Sequence, residues 1–111
     1  MHGIGGNIIG ELQISIPTKN EIGELVHTWT TIQSIKGWLD YITGETSRSN
    51  YSAKMQESTH VFVADYVKLD SKVDEAAIRM LINNKVYDVV LIDNPMELDA
   101  QLEIYLKYVG G

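Results

Sequence analysis

The 111-residue chain has no cysteine. That excludes disulfides and thiolate-based metal sites, and it fits a reducing compartment or indifference to redox. Prolines number only two, phenylalanine one, and no apolar run approaches the ~18 residues of a membrane span. The N-terminus lacks the basic and apolar regions of a signal peptide. Positive charge is scarce: 9 Lys and Arg stand against 15 Asp and Glu, for a formal charge of −6. General binding to nucleic-acid phosphates needs clustered cations, so this balance argues against it. An acidic wall can still line a channel that holds DNA without gripping it. What remains is ordinary for a folded chain, with 44% apolar and 22% charged residues. At this length one modest core is expected.

The last third carries the firmest pattern. Asn83-Asn84 is a two-residue hairpin signal, because asparagine tolerates the positive φ of a type I′ turn. Ile78 to Ile82 and Val86 to Ile92 are the expected flanking strands, preceded by a short turn over residues 74–77. A helix over Asp74 to Leu81 is the rival reading, since DEAAIRML has real helix propensity. Asp93-Asn94-Pro95 breaks the second strand. From Gln101 to Val109 the alternation predicts Leu102, Ile104, Leu106 and Tyr108 inward, with Glu103, Tyr105 and Lys107 outward. Upstream, Leu12, Ile14 and Ile16 share one face of a strand that starts at Ile8 and stops at Pro17. Leu25 to Ile35 predicts a second strand, Gly37 a bend or bulge, and Trp38 to Ile42 a third. Thr59 to Tyr66 is apolar on both faces and reads as a central strand.

These elements predict an all-β fold: a small six- to seven-stranded β-barrel or sandwich, the barrel preferred, with a long loop and at most one short helix. Residues 1–7, with three glycines, read as a flexible arm, and residues 8–111 as a single domain. The glycines do not follow a strand, as a phosphate-cradling loop requires. Residues 45–50 are polar and aperiodic, an exposed loop, and Tyr51 to Glu57 has helix formers enough for one or two turns.

Catalytic inventory is thin. His2, His27 and His60 stand far apart, outside any ligand-spaced motif. Ser52, His60 and Asp65 supply the residue types of a triad, but five residues along a strand put His60 and Asp65 on opposite faces. Asp93, Asn94, Glu97 and Asp99 make an oxygen-rich loop without the ligand spacing or central glycine of an EF-hand, so a solvated turn is the plainer reading. No metal, cofactor or enzymatic activity is expected. Tyr41, Tyr51, Tyr66, Tyr87 and Tyr105 are scattered, some for the core or barrel rim and others for a protein interface.

Three passages together carry a resemblance. They are HTWTTIQSIKGWLDYITGE (His27 to Glu45), YSAKMQESTHVFVADY (Tyr51 to Tyr66) and INNKVYDVVLIDNPMELDAQLEIYLKYVG (Ile82 to Gly110). In that order they resemble the head–tail joining proteins of tailed phages, also called head-closure, stopper or head–tail adaptor proteins. The forms in phages and prophages of Gram-positive bacteria are the most similar. The likeness covers roughly residues 25 to 110 and keeps the order of elements. It implies a small β-barrel without chemistry, made in the host bacterial cytoplasm and built into the virion. Such barrels form a ring, commonly dodecameric, below the portal and adaptor; the ring retains packaged DNA and presents the tail-docking surface. A monomer in dilute solution that assembles on the connector is expected, because the exposed loops are polar. The family's channel-facing loop matches residues 43–57, which nominates Thr43, Glu45, Arg48, Tyr51, Lys54, Met55, Gln56 and Glu57 as the assembly or channel loop. Implied partners are the portal or adaptor protein, a tail or tail-completion protein, and further copies of the chain, with no membrane and no specific nucleic-acid binding. A tail-completion or tail-terminator protein is the alternative within this class. A small β-barrel module for single-stranded nucleic acid is the alternative outside it.

Overall fold

The fold is taken from a computed structural model, which describes residues 6, 8–42, 58–74 and 77–110. Among these residues six antiparallel strands close into a barrel, in the order β1-β2-β3-β6-β5-β4. The strands are β1 (Ile8–Lys19), β2 (Leu25–Tyr41), β3 (His60–Asp65), β4 (Ile78–Ile82), β5 (Lys85–Asp93) and β6 (Gln101–Gly110). Two 3-10 turns, Ser71–Asp74 and Pro95–Glu97, are the helical elements among the described residues. The expected all-β barrel is therefore present with six strands. The rival helix over Asp74 to Leu81 gives way to β4, whose residues alternate toward the core.

Local chemistry explains the hairpin between β4 and β5. Asn83 and Asn84 take φ of 49° and 64°, as the type I′ turn demands, and Ile82 pairs with Lys85 across it. The barrel interior is filled from every strand: Leu12, Ile35, Phe62, Ala64, Met80, Ile82, Tyr87, Ile104 and Leu106 form one buried cluster.

Four expectations about strand limits and faces are corrected. β1 does not stop at Pro17; it continues to Lys19, with Pro17 opposite His27. Pairing of β1 with β4 extends only over Glu11 to Ile14, so among the described residues Pro17 lies on a strand edge beyond the β4 pairing, where a missing N–H is tolerated. For the same reason Ile16 keeps its inward phase but is exposed, because the barrel wall has ended. Gly37 does not break β2, which runs unbroken from Leu25 to Tyr41. A Cβ there would stand 2.4 Å from the Val63 carbonyl oxygen and 2.8 Å from the Phe62 ring, so glycine permits a close approach rather than a bend.

The fourth correction concerns β6. Leu102, Ile104 and Leu106 are buried as the alternation predicts, but Tyr108 is 45% exposed, since it lies where the strand leaves the barrel. Conversely, Tyr105 is 1% exposed and Glu103 9%, so the outward face of β6 is also covered. There the Tyr105 hydroxyl donates to Glu103 Oε1 at 2.8 Å, and Gln101 Nε2 donates to Glu103 Oε2 at 3.0 Å. These bonds satisfy the buried carboxylate, which alternation alone would send to solvent.

Of the glycine-rich arm, Gly6 is the described residue; it takes a φ of +126° and lies against the backbone of Gly37.

Candidate assembly surface

Strand direction gives the barrel two mouths with different chemistry. At the first, β2 ends and β3 begins, and the β4–β5 turn and the end of β6 join them. Ile42 donates its N–H to the Thr59 carbonyl, and Thr59 donates its own to the Leu106 carbonyl. These two bonds fix both ends of the connection that spans residues 43–57. The nominated residues Thr43, Glu45, Arg48, Tyr51, Lys54, Met55, Gln56 and Glu57 lie outside the described residues, as does the expected short helix over 51–57. The platform that the connection leaves from lies within them.

That platform carries a row of rings drawn from four strands. Tyr41 lies on His60 with ring centroids 4.5 Å apart, His60 meets Tyr87 edge-on at 5.1 Å, and Tyr87 meets Tyr108 at 5.4 Å. The spacings fall in the range where tilted and edge-to-face pairs are favourable. Pairing explains the row, since Tyr41 is the register partner of His60, and Tyr87 that of Tyr108. Tyr87 is buried, whereas Tyr41 is 78% exposed. The row thus touches the core at Tyr87 and reaches solvent at both ends, Tyr41 and Tyr108. Desolvation, then the Lys85 ammonium, pushes the His60 pKa below its ordinary value. Burial first, then the neighbouring Tyr108 and Tyr41 hydroxyls, pushes Tyr87 up. His60 Nδ1 sits 2.8 Å from the Thr59 hydroxyl oxygen, which also accepts the Tyr108 N–H at 2.8 Å. The imidazole is thereby held in place among ring neighbours.

The second mouth projects, and it exposes apolar side chains among charged ones. Beyond Ile14 on β1 and Thr30 on β2, the two strands continue as a two-stranded ribbon to the turn at Asn20–Gly23. Asn20 organises that turn: its side-chain oxygen accepts the N–H groups of Ile22 and Glu24 at 3.1 and 2.9 Å. Gly23 supplies the positive φ of 85°. Ile16, Ile22, Leu25 and Val26 are exposed along the ribbon. At its root, Arg79 stacks 4.4 Å over the Trp29 ring and donates to Gln13 Oε1 at 2.7 Å. On the same end, the β5–β6 connection exposes Met96 and Leu98. The expected oxygen-rich turn is drawn together there by Asn94, whose amide donates to Asp99 Oδ1 and whose oxygen accepts the Asp99 N–H.

The residue types of a triad are not brought together among the described residues. His60 and Asp65 begin and end β3, opposite Leu106 and Gln101 respectively, and Ser52 lies outside the described residues. Among the described residues no three His, Cys, Asp or Glu side chains group as metal ligands, and no helix is long and apolar enough to cross a membrane. The aromatic row is invisible in the sequence because its members are 19 to 27 residues apart in the chain. Strand pairing brings them together.

No family model matches the chain, and no curated protein matches it. Among solved structures, the chain is similar to protein SF1141 of Shigella flexneri 2a, a structural-genomics solution structure, with a TM-score of 0.66 and 16% identity over 97% of this chain and 96% of that one. At that identity the likeness establishes a shared fold over nearly the whole length of both chains and nothing further.

Proposed function

We propose that this chain is a non-enzymatic structural protein of a tailed-phage virion, a head–tail connector component. In this reading copies form a ring below the portal or adaptor, hold packaged DNA in the head, and present the surface to which the tail docks. The observation that carries it is the three-part sequence resemblance, in order, across roughly residues 25 to 110. The six-stranded barrel is the architecture that resemblance implies. Its two mouths give support of a second kind. One anchors the 43–57 connection beside an aromatic row with exposed ends, and the other extends a ribbon that exposes Ile22 and Leu25. A part seated between two different neighbours needs two chemically distinct ends.

The test is an amber mutant of the gene in its parent phage. The expected lysate holds DNA-filled heads that leak their DNA, beside free tails of normal length. Empty procapsids would make the role packaging and overturn the proposal. Abnormally long free tails would move the chain to tail termination, the alternative within the same class.

A further inference from the structure

We propose that Arg79 is a latch that holds the β1–β2 ribbon at a fixed angle to the barrel, across a hinge made by a bulge at Ile32. The ribbon leaves the barrel where β4 stops accompanying it. β4 pairs with β1 from Glu11 to Ile14. Past the bond from the Ser15 N–H to the Ala77 carbonyl, β1 and β2 pair only with each other up to their turn. A lone two-stranded hairpin is marginal in water, so its own pairing does little to hold its direction.

Register gives the hinge. Leu12 lies opposite Gln33 and Gln13 opposite Thr31, so Ile32 is an extra residue on β2. Such a bulge interrupts the ladder and bends the strand that carries it. On the barrel side of the bend β2 is fixed twice. Ile32 itself packs against the core. Gln33 donates from Nε2 to the Lys68 carbonyl and accepts the Asp70 N–H at Oε1. The bend therefore has one anchored side, the barrel, and one side whose direction must be set by something else.

Arg79 sets it. Arg79 on β4, Gln13 on β1 and Thr31 on β2 are register partners and form a row across three strands. Arg79 Nε donates to Gln13 Oε1 at 2.7 Å, and Gln13 Nε2 donates on to the Thr31 hydroxyl at 3.0 Å. The same guanidinium lies 4.4 Å over the ring of Trp29, which pairs with Ser15 and so belongs to the ribbon. One side chain rooted in the barrel thus grips both ribbon strands beyond the bulge. Asp88 on β5 is the register partner of Arg79, yet the guanidinium reaches the opposite way, across β1. A planar fork that hydrogen-bonds and stacks at once fixes a direction, which a flexible ammonium does not. What it fixes is the place of the tip, where Ile22 is 77% and Leu25 67% exposed. A pre-placed arm loses less freedom when it meets a neighbour. The latch stands on contacts within the chain and takes nothing from the proposed function.

Because the chain has no cysteine, pairs of spin labels can be placed at chosen sites and their distances measured by pulsed dipolar spectroscopy. In the full-length protein, Ile22→Cys with Lys107→Cys spans tip and barrel, and Asp40→Cys with Lys107→Cys spans the barrel alone; all three side chains are exposed. Both distributions should be narrow in the otherwise unaltered chain. Arg79→Ala and Trp29→Leu should each widen the tip distribution roughly two-fold, as for a ribbon held only by its own pairing, and leave the barrel pair unchanged. Arg79→Lys should widen it nearly as much, since it keeps the charge and loses the fork. The Arg79→Ala, Trp29→Leu double variant should be no wider than either single one, because the two residues act as a unit. If Arg79→Ala does not fold, Arg79→Lys and Trp29→Leu carry the same test. An unchanged tip distribution, equal widening of both pairs, or additive widening in the double variant each overturn the proposal. So does a tip distribution already as wide with Arg79 in place as without it.

Discussion

At the scale of single residues, two glycines show how the same residue type serves opposite needs. Gly23 needs its conformation: φ is +85°, and a methyl group there would meet nothing within 4 Å. Gly37 needs its size, because a methyl there would meet the Val63 carbonyl and the Phe62 ring. The carbonyl belongs to the paired strand and has little room to yield. Gly37→Ala should therefore destabilise by about 1–3 kcal/mol, the range for overpacking, with the cost read from urea unfolding. Gly23→Ala should lose only about 1 kcal/mol, through backbone strain in an open turn. A Gly37→Ala variant as stable as the parent would mean that β2 can move away from β3. The sequence marks Gly37 as special but for the wrong reason, since nothing local distinguishes a bend from a close approach. The Asn83-Asn84 turn is legible for the converse reason: its requirement is local backbone geometry, and the two residues state it directly.

At the scale of elements, β6 separates what alternation can and cannot convey. Period-2 patterning places Leu102, Ile104 and Leu106 on the core face, because that face is decided within the strand. The opposite face is decided by what lies over it, so Glu103 and Tyr105 read as solvent-facing until the fold is known. Pro17 fails in the same way, since its tolerance depends on β1 having lost its β4 neighbour. Two substitutions test the two faces. Ile104→Asp puts an unpaired charge among fully buried apolar groups and should abolish cooperative unfolding. Tyr105→Phe keeps the ring and removes the hydroxyl that donates to Glu103. It should cost about 1.5–3 kcal/mol, the usual range for a bond to a charged group, while leaving the fold intact. If Ile104→Asp melts cooperatively, the inward face is misassigned; if Tyr105→Phe costs nothing, the buried carboxylate is satisfied without that hydroxyl.

At the scale of the whole molecule, the proposed function puts stability and assembly in different parts of the chain. The strands supply a closed wall and a shared interior, so a change in the 43–57 connection should leave the barrel's melting unaltered. Its two ends are held by backbone bonds, from Ile42 to Thr59 and from Thr59 to Leu106, which do not depend on the side chains between them. In the proposed function those side chains meet the neighbours or the DNA channel. Replacing Lys54, Met55 and Gln56 together by alanine should thus give a protein whose thermal unfolding matches the parent's. In complementation of the amber mutant, the same variant should fail to yield tailed, infectious particles. Normal complementation by the triple variant would remove the connection from the assembly surface. Under the proposed function, the aromatic row of Tyr41, His60, Tyr87 and Tyr108 and the β1–β2 ribbon would then be the surfaces left for neighbours to meet.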